Sequence, residues 1–488
     1  MARAPWIKAR DKGDGIKLPA AFRLPRLGWD DARLPSFATA LLHGSTLRLA
    51  VTGLSRAGKS VFITALVHDL LAFPRLPSRL PLFGALDDLA GRVTGVEVAL
   101  PAVAEIQPFP FDRNLRAMAA DPPRWPDGTR DVAEIAVDIR FRPRGFLHRR
   151  DAEATLRVVI VDYPGEWLLD LPMLDRDFAA WSADMLAMAR QGPRAAAAAD
   201  WLAFLATHPP TATHDALVAE RAHELYRDYL LACRDLGMAY LQPGRFLQPG
   251  DWTDPGLLHF CPLPPGGGPG SLGAVMAGRF EAYKQAARAR FFDRHFRRFD
   301  RQIVLVDVLQ ALHAGPAAFG DTTRALTEIA GAFRVGGGLL ARLFGSRIGR
   351  VLYAATKADH VPAMQREHLR QLLANVLRAP ILDADTRGAD TAAMAIASVR
   401  CTVEDEAVLD GRPTPVVRGV PLTGFRQVKF FAGTIPIKPP PPDDRFWSRP
   451  FFAMPRFQPP RLDPDVNAGI GHVGLDEALD FLLADRLR

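Results

Sequence analysis

At 488 residues the chain has room for roughly two to four domains. With 48% hydrophobic and 24% charged residues it can bury a sizeable core, which excludes intrinsic disorder. A net charge of +7 is small for this length and does not indicate a nucleic-acid binder.

Residues 1–44 read as an extension, basic at first and then rich in Pro and Leu. Met1 to Leu18 carries basic residues with no apolar core behind them, so a secretory signal is not expected. Leu47 to Thr52 (LRLAVT) is a short apolar strand candidate, and Val61 to Phe73 follows with helical spacing, giving strand, loop and helix as in a βαβ unit. Asp131 to Phe141 alternates and reads as a half-exposed strand, whereas Leu156 to Val161 reads as a buried one. From Trp167 to Arg301 the texture is helical. Leu174, Phe178, Trp181, Met185 and Met188 form one amphipathic stripe, and Thr213 to Leu236 repeats the pattern around Leu217, Leu225 and Tyr229. The tail of this block, Lys284 to Arg301, interleaves Phe291, Phe292, Phe296 and Phe299 with seven basic residues. Arg288, Arg294, Arg298 and Arg301 are expected on one helical stripe and Phe292, Phe296 and Phe299 on another.

Buried strands are then expected at Gln302 to Val308, Arg350 to Ala355 and near Met394 to Val399. Pro436 to Pro464 holds ten prolines in 29 residues, with Phe446, Trp447, Phe451, Phe452 and Phe457 among them. That composition suits an extended arm packed on the body. Gly474 to Arg488 ends the chain as a helix, with acids in its first turn and arginines in its last. The division that follows is an extension at 1–44, an α/β domain at 45–166 and 302–435, a helical insertion at 167–301, and an arm plus helix at 436–488.

No apolar run reaches the ~18 residues of a membrane-spanning helix. Cys233, Cys261 and Cys401 lie far apart, outside any metal-ligand or disulfide pattern, and fit a reducing cytosol. The twelve histidines do not cluster at ligand spacing, and no G-x-S-x-G occurs. A soluble, cytoplasmic chain is expected.

The chemistry concentrates in a few loops. Gly53-Leu54-Ser55-Arg56-Ala57-Gly58-Lys59-Ser60 matches G-x-x-x-x-G-K-[ST], so Gly53, Ser55, Ala57, Gly58 and Val61 would offer backbone to phosphates. Lys59 would reach the β- and γ-phosphates, and the Ser60 hydroxyl would ligate Mg²⁺. The chain has only eight lysines against 53 arginines, which gives weight to a lysine retained at this position. Asp162, ending the buried strand, begins D-x-x-G; its carboxylate would hold a metal-bound water, and the Gly165 N–H would meet the γ-phosphate. Thr356-Lys357-Ala358-Asp359 follows the strand RVLYAA and resembles the N/T-K-x-D element of GTPases, with Thr356 in place of the usual Asn, which keeps a hydroxyl but loses an amide. Asp359 would accept from guanine N1–H and the exocyclic amine, and the stem of Lys357 would cover the base. Ser398 and Val399 follow the last strand, where a backbone N–H would reach guanine O6. Thr129, just before the alternating strand, would ligate Mg²⁺ only with triphosphate bound. Glu166 stands where many GTPases place a water-orienting Gln, so slow turnover is expected. Arg56 would lie along the phosphates as a cation supplied in cis.

The order of these elements resembles a Ras-like GTPase domain. More closely, GLSRAGKSVFITALVHDLL, DYPGEWLLDLPML, TKADHV and HVGLDEALDFLL resemble the YcjX-like family of bacterial stress-associated P-loop GTPases. The resemblance covers roughly residues 45 to 488. It implies GTP and GDP binding, Mg²⁺ dependence and a helical domain inserted after D-x-x-G. It also implies envelope stress and a membrane-associated protein partner, with peripheral placement at the inner membrane; an anionic membrane surface is the partner suggested by the basic tail. Two other readings compete with a regulatory GTPase: a nucleotide-stabilised interaction module with little turnover, and an ATPase that would leave Lys357 and Asp359 without a guanine to read.

Overall fold

Short apolar strands need both faces covered, and the fold is built to cover them. A computed structural model describes residues 45–54, 56–85, 88–99, 106–128, 131–144, 153–250, 252, 254–292, 296–332, 348–378, 390–448, 455–463, 465 and 468–488, all within the unit Gly44–Arg488. The expectations for 1–44, Ser55, Thr129, Arg294, Phe451 and Phe452 lie outside the described residues.

Eight strands form one sheet: β1 (Ser45–Gly53), β2 (Val93–Ala99), β3 (Gln107–Pro108), β4 (Ala133–Phe141), β5 (Ala154–Asp162), β6 (Arg301–Val306), β7 (Arg350–Ala355) and β8 (Asp390–Ala395). The order is β2-β4-β5-β1-β6-β7-β8, with β3 added alongside β4. β5, β1, β6, β7 and β8 are mutually parallel, and β4 and β2 turn antiparallel at one side. The parallel part reads as continuous apolar runs because both faces are covered. β6 is buried at every position. β4 is buried far more than its alternation suggested, because it lies between β2 and β5 and even its Glu134 is enclosed, 3.7 Å from Arg48. β8 starts earlier than expected. Its residues beyond Ala395 leave the sheet to form a loop that matters below.

Helix α1 (Lys59–Ala72) is apolar nearly all round, as a helix enclosed on all sides must be. It lies in the core of one sheet face with α2 (Phe111–Ala119) and the C-terminal helix, which carries Leu475, Leu479, Leu482 and Leu483. Between β5 and β6 come α3 (Phe178–Ala189), α4 (Ala199–Thr207), α5 (Ala216–Asp235) and α6 (Leu272–Ala287). Asp177, Asp215 and Ser271 cap α3, α5 and α6 by accepting backbone N–H bonds. Their aromatic interior, with Trp181, Trp201, Tyr226 and Phe280, is one continuous cluster with Val159, Val161, Val304 and Val306 on the other sheet face. α7 (Val308–His313), α8 (Pro316–Ala332) and α9 (Ala363–Val376) complete that side, and α10 (Leu475–Leu483) is the C-terminal helix. Among the described residues, no helix is long and apolar enough to cross a membrane.

Three helical expectations need correction. Leu174 belongs to a 3-10 turn (Pro172–Asp175) and α3 starts only after the Asp177 cap, so the expected stripe spans a break. Leu217, in the first turn of α5, is 74% exposed. The basic tail is not one helix. α6 ends at Ala287, a π-turn covers Arg288–Phe292, a 3-10 turn covers Phe296–Arg298, and β6 begins at Arg301. The chain breaks there because it must enter the sheet beside β1, where Asp300 N–H donates to Arg48 O and Arg48 N–H to the Asp300 carboxylate. Arg288, Arg298 and Arg301 therefore share no stripe. Phe292, Phe296 and Phe299 are all buried, with Phe299 stacked on Tyr163.

A second sheet, unforeseen in the sequence, joins β9 (Val403–Leu409), β10 (Arg412–Gly419) and β11 (Val428–Phe430) in antiparallel order. Beside it runs the described stretch 455–463. Gln458 N–H donates to Val420 O, Leu422 N–H to Arg456 O, and Phe457 is buried.

Candidate functional site

β1 ends at Gly53, and the chain turns through Arg56 (φ 63) and Gly58 (φ 89) before α1 begins at Lys59. Both φ values lie in the left-handed region, which glycine enters freely and arginine does not. A Cβ at Gly165 would sit 1.6 Å from Gly53 O, so only glycine lets D-x-x-G pass this close beneath the loop. The β1–β5 register pairs Val51 with Asp162, which brings the buried Asp162 to the same sheet end. Lys59 Nζ lies 3.5 Å from Gly53 O, and the Ser60 hydroxyl donates to Asp127 O at 3.1 Å.

At the other end, Thr356 N–H donates to Val306 O and Lys357 takes a left-handed φ of 61. That turn directs the ammonium of Lys357 into an ion pair with Asp307, the residue that caps α7. Asp359 is 1% exposed. One of its oxygens accepts from Cys401 N (2.8 Å) and the Cys401 thiol (3.2 Å), and the other from His360 Nδ1 (3.1 Å). Burial alone would raise its pKa. The His360 ring and the two Cys401 donors outweigh burial and hold the carboxyl below its usual range. Burial and the facing carboxylate push the Cys401 thiol well up, so it stands as a protonated donor.

A cavity of about 430 Å³ joins the two ends. Arg56, Ala57, Gly58, Lys59, Ser60 and Val61 line it on one side, and Thr356, Lys357, Asp359, Ser398 and Val399 on the other. Gly53, Asp162 and Gly165 are not among its lining residues. The loop Trp125–Gly128, just before Thr129, also faces the cavity, as do Leu422, Pro455, Arg456 and Phe457. Trp125 Nε1 donates to Phe457 O at 2.8 Å, tying this loop to the C-terminal stretch.

Glu166 does not face that cavity. It lines a second one of about 310 Å³ with Arg234, Asp235 and His313; Arg56, Asp307 and Gln310 are common to both. Arg56 is exposed at the loop tip. Sequence reading missed Asp307, although an acid ending a buried strand and starting a helix was visible in QIVLVDVLQALH. It also missed Trp125, His360, Cys401 and Phe457, which become neighbours only in three dimensions.

A largely parallel sheet with an antiparallel side, whose central strand runs into a phosphate-type loop, is consistent with the fold of a Ras-like GTPase. The chain is 37% identical over 455 residues to the protein called Ras-like GTPase YcjX of Escherichia coli K12, covering 91% of this chain and 96% of that one. It is 35% identical over 480 residues to the Shewanella oneidensis MR-1 protein of the same name, covering 92% and 96%. The YcjX-like family, DUF463, matches residues 47–487, and the chain belongs to it.

Proposed function

We infer that the chain binds GTP and GDP in the 430 Å³ cavity with Mg²⁺ and hydrolyses GTP slowly, as a nucleotide-dependent switch. One observation carries this: a single cavity brings Gly58, Lys59 and Ser60 together with Lys357, Asp359, Ser398 and Val399. The names of the two relatives agree with it. Phosphates would lie on the loop at the start of α1, where backbone N–H groups and Lys59 supply positive charge. The base would lie against Lys357 with Asp359 accepting from its edge, and a backbone N–H of the Ser398–Val399 loop would meet its carbonyl. Ser60 and Asp162 are hard oxygen donors at one sheet end, a set suited to Mg²⁺, which would shield the phosphate charge. Switching would pass to the helices between β5 and β6, because the D-x-x-G loop packs against them: a Cβ at Gly244 would sit 1.8 Å from Glu166 O. The stress-related role and the membrane-side partner belong to this proposal through family resemblance alone.

Titration with GDP, GTP, ADP and ATP tests the reading. Guanine nucleotides should bind well above adenine ones, and Lys59→Ala should abolish or strongly weaken GTP binding in a folded protein. Equal binding of GTP and ATP, or unchanged affinity in Lys59→Ala, overturns it. The placement of Glu166 in the second cavity favours one other reading, an interaction module with negligible turnover. Multiple-turnover phosphate release separates the two.

A further inference from the structure

Asp359, His360 and Cys401 gather an oxygen, a nitrogen and a sulfur ligand within 4.8 Å of one another. Asp359 and His360 are adjacent in the chain, and Cys401 comes 42 positions after Asp359, so no ligand spacing announces the group. All three line the cavity, which leaves an open side for a water ligand. A site with three protein ligands and one open position suits zinc-class ions, and thiolate with imidazole selects them over Mg²⁺. We propose that Asp359, His360 and Cys401 bind a divalent zinc-class ion in the nucleotide-free protein, and that this ion competes with the guanine base. The competition, but not the metal site, rests on the guanine reading above.

Binding is a ligand exchange that balances without an oxidant. The Cys401 S–H bond breaks, a sulfur–metal bond forms, and the proton leaves through the cavity to solvent. Ligation through His360 Nδ1 places the ring proton on Nε2. Ligand atoms within 4.8 Å must close to on the order of 3.5 Å to surround one ion, a shift that side-chain rotation can supply. Competition follows from the acceptor count. A carboxylate offers about four lone-pair sites, and Cys401 N–H, Cys401 S–H and His360 already use three donors' worth. Guanine brings two further donors, so the base must displace part of this group. An ion holding the same oxygens prevents that.

Cobalt(II) is the probe, added to the nucleotide-free full chain. Its thiolate charge-transfer absorption reports a Co–S bond directly. The band should appear on titration, vanish in Cys401→Ser, weaken in His360→Ala, and bleach when GDP is added. Absence of the band, or its persistence in Cys401→Ser, overturns the metal site. A band untouched by GDP, in protein that a metal-free titration has shown to bind GDP, overturns the competition. If GDP fails to bind metal-free protein while the Cys401-dependent band forms, the metal site is supported and the guanine reading has failed separately.

Discussion

Asp359 holds its charge in an enclosed place because three donors meet it, and in the proposed guanine site that charge would discriminate between bases. Asp359→Asn keeps the shape but can accept only one of two guanine donors. GDP binding should weaken by about 1.5–3 kcal/mol while ADP binding changes little, as read by calorimetry. Gly165→Ala has a different origin. Its Cβ would collide with the backbone of Gly53, so the phosphate loop itself must move, and GDP affinity should fall at least tenfold, roughly 1.4 kcal/mol. Asp170 supplies the pH dependence. Burial raises its pKa to about 6, against the opposing hydrogen bond from Tyr283 and the charge of Arg245. A carboxyl with a raised native pKa favours the fold while protonated, so its contribution is present below its unfolded value and lost as pH rises through about 6. Asp170→Asn removes that loss. Denaturant titrations should show the variant gaining about 1 kcal/mol on the parent between about pH 5 and pH 7. Lys59 and Asp359 were legible because their chemistry depends on fixed spacing along a short loop. Cys401 and Phe457 were not, because each meets Asp359 or His360 only after the sheet has formed.

At the scale of elements, helices between β5 and β6 are fastened by buried polar links as well as by their aromatic interior. Arg194 donates to Tyr229 Oη, Tyr240 O and the Asp321 carboxylate, joining the short helix Gly192–Ala197 to α5 and α8. Both side chains of the Arg194–Asp321 pair are 7% exposed. Arg194→Ala leaves a buried carboxylate without its counter-charge and should cost about 3–5 kcal/mol in urea unfolding, whereas adding Asp321→Asn should restore part of the loss. Such links have no periodicity, which is why the helices were legible and their fastening was not. The strands divide in the same way. β5, β6 and β7 announce themselves as apolar runs, whereas β9 (VEDEAVL) is largely exposed and offers no apolar face. The basic tail misled because its spacing fits a helix, while entry into the sheet beside β1 forces the chain to turn.

Across the whole molecule, α10 closes the lower face of the sheet. Arg301 donates to Leu482 O and pairs with Asp485, and Asp69 of α1 accepts from Ile470 N–H at 2.6 Å. The Val473–Ala397 bridge holds the loop that presents Ser398 and Val399. Removing residues 474–488 takes away five buried leucines, each contributing about 1.5–3 kcal/mol, and should leave protein that neither remains soluble nor retains GDP. Retention of GDP binding by that truncation would show that the base loop is held by other means.

The bond from Trp125 to Phe457 and the bond from Ile470 to Asp69 span 332 and 401 positions. On a ribosome adding roughly 5–20 residues per second, about 20–80 seconds separate the emergence of Asp69 from that of its partner. Throughout that interval the Asp69 carboxylate of α1 lacks the Ile470 N–H that it accepts in the folded chain. The phosphate loop is among the first parts of this unit to be made, yet the nascent chain can close its nucleotide cavity only near the end of synthesis. The cavity is lined as far along the chain as Phe457, so the proposed nucleotide capture would follow translation past that residue, and fragments released earlier should appear as clients of chaperones and proteases.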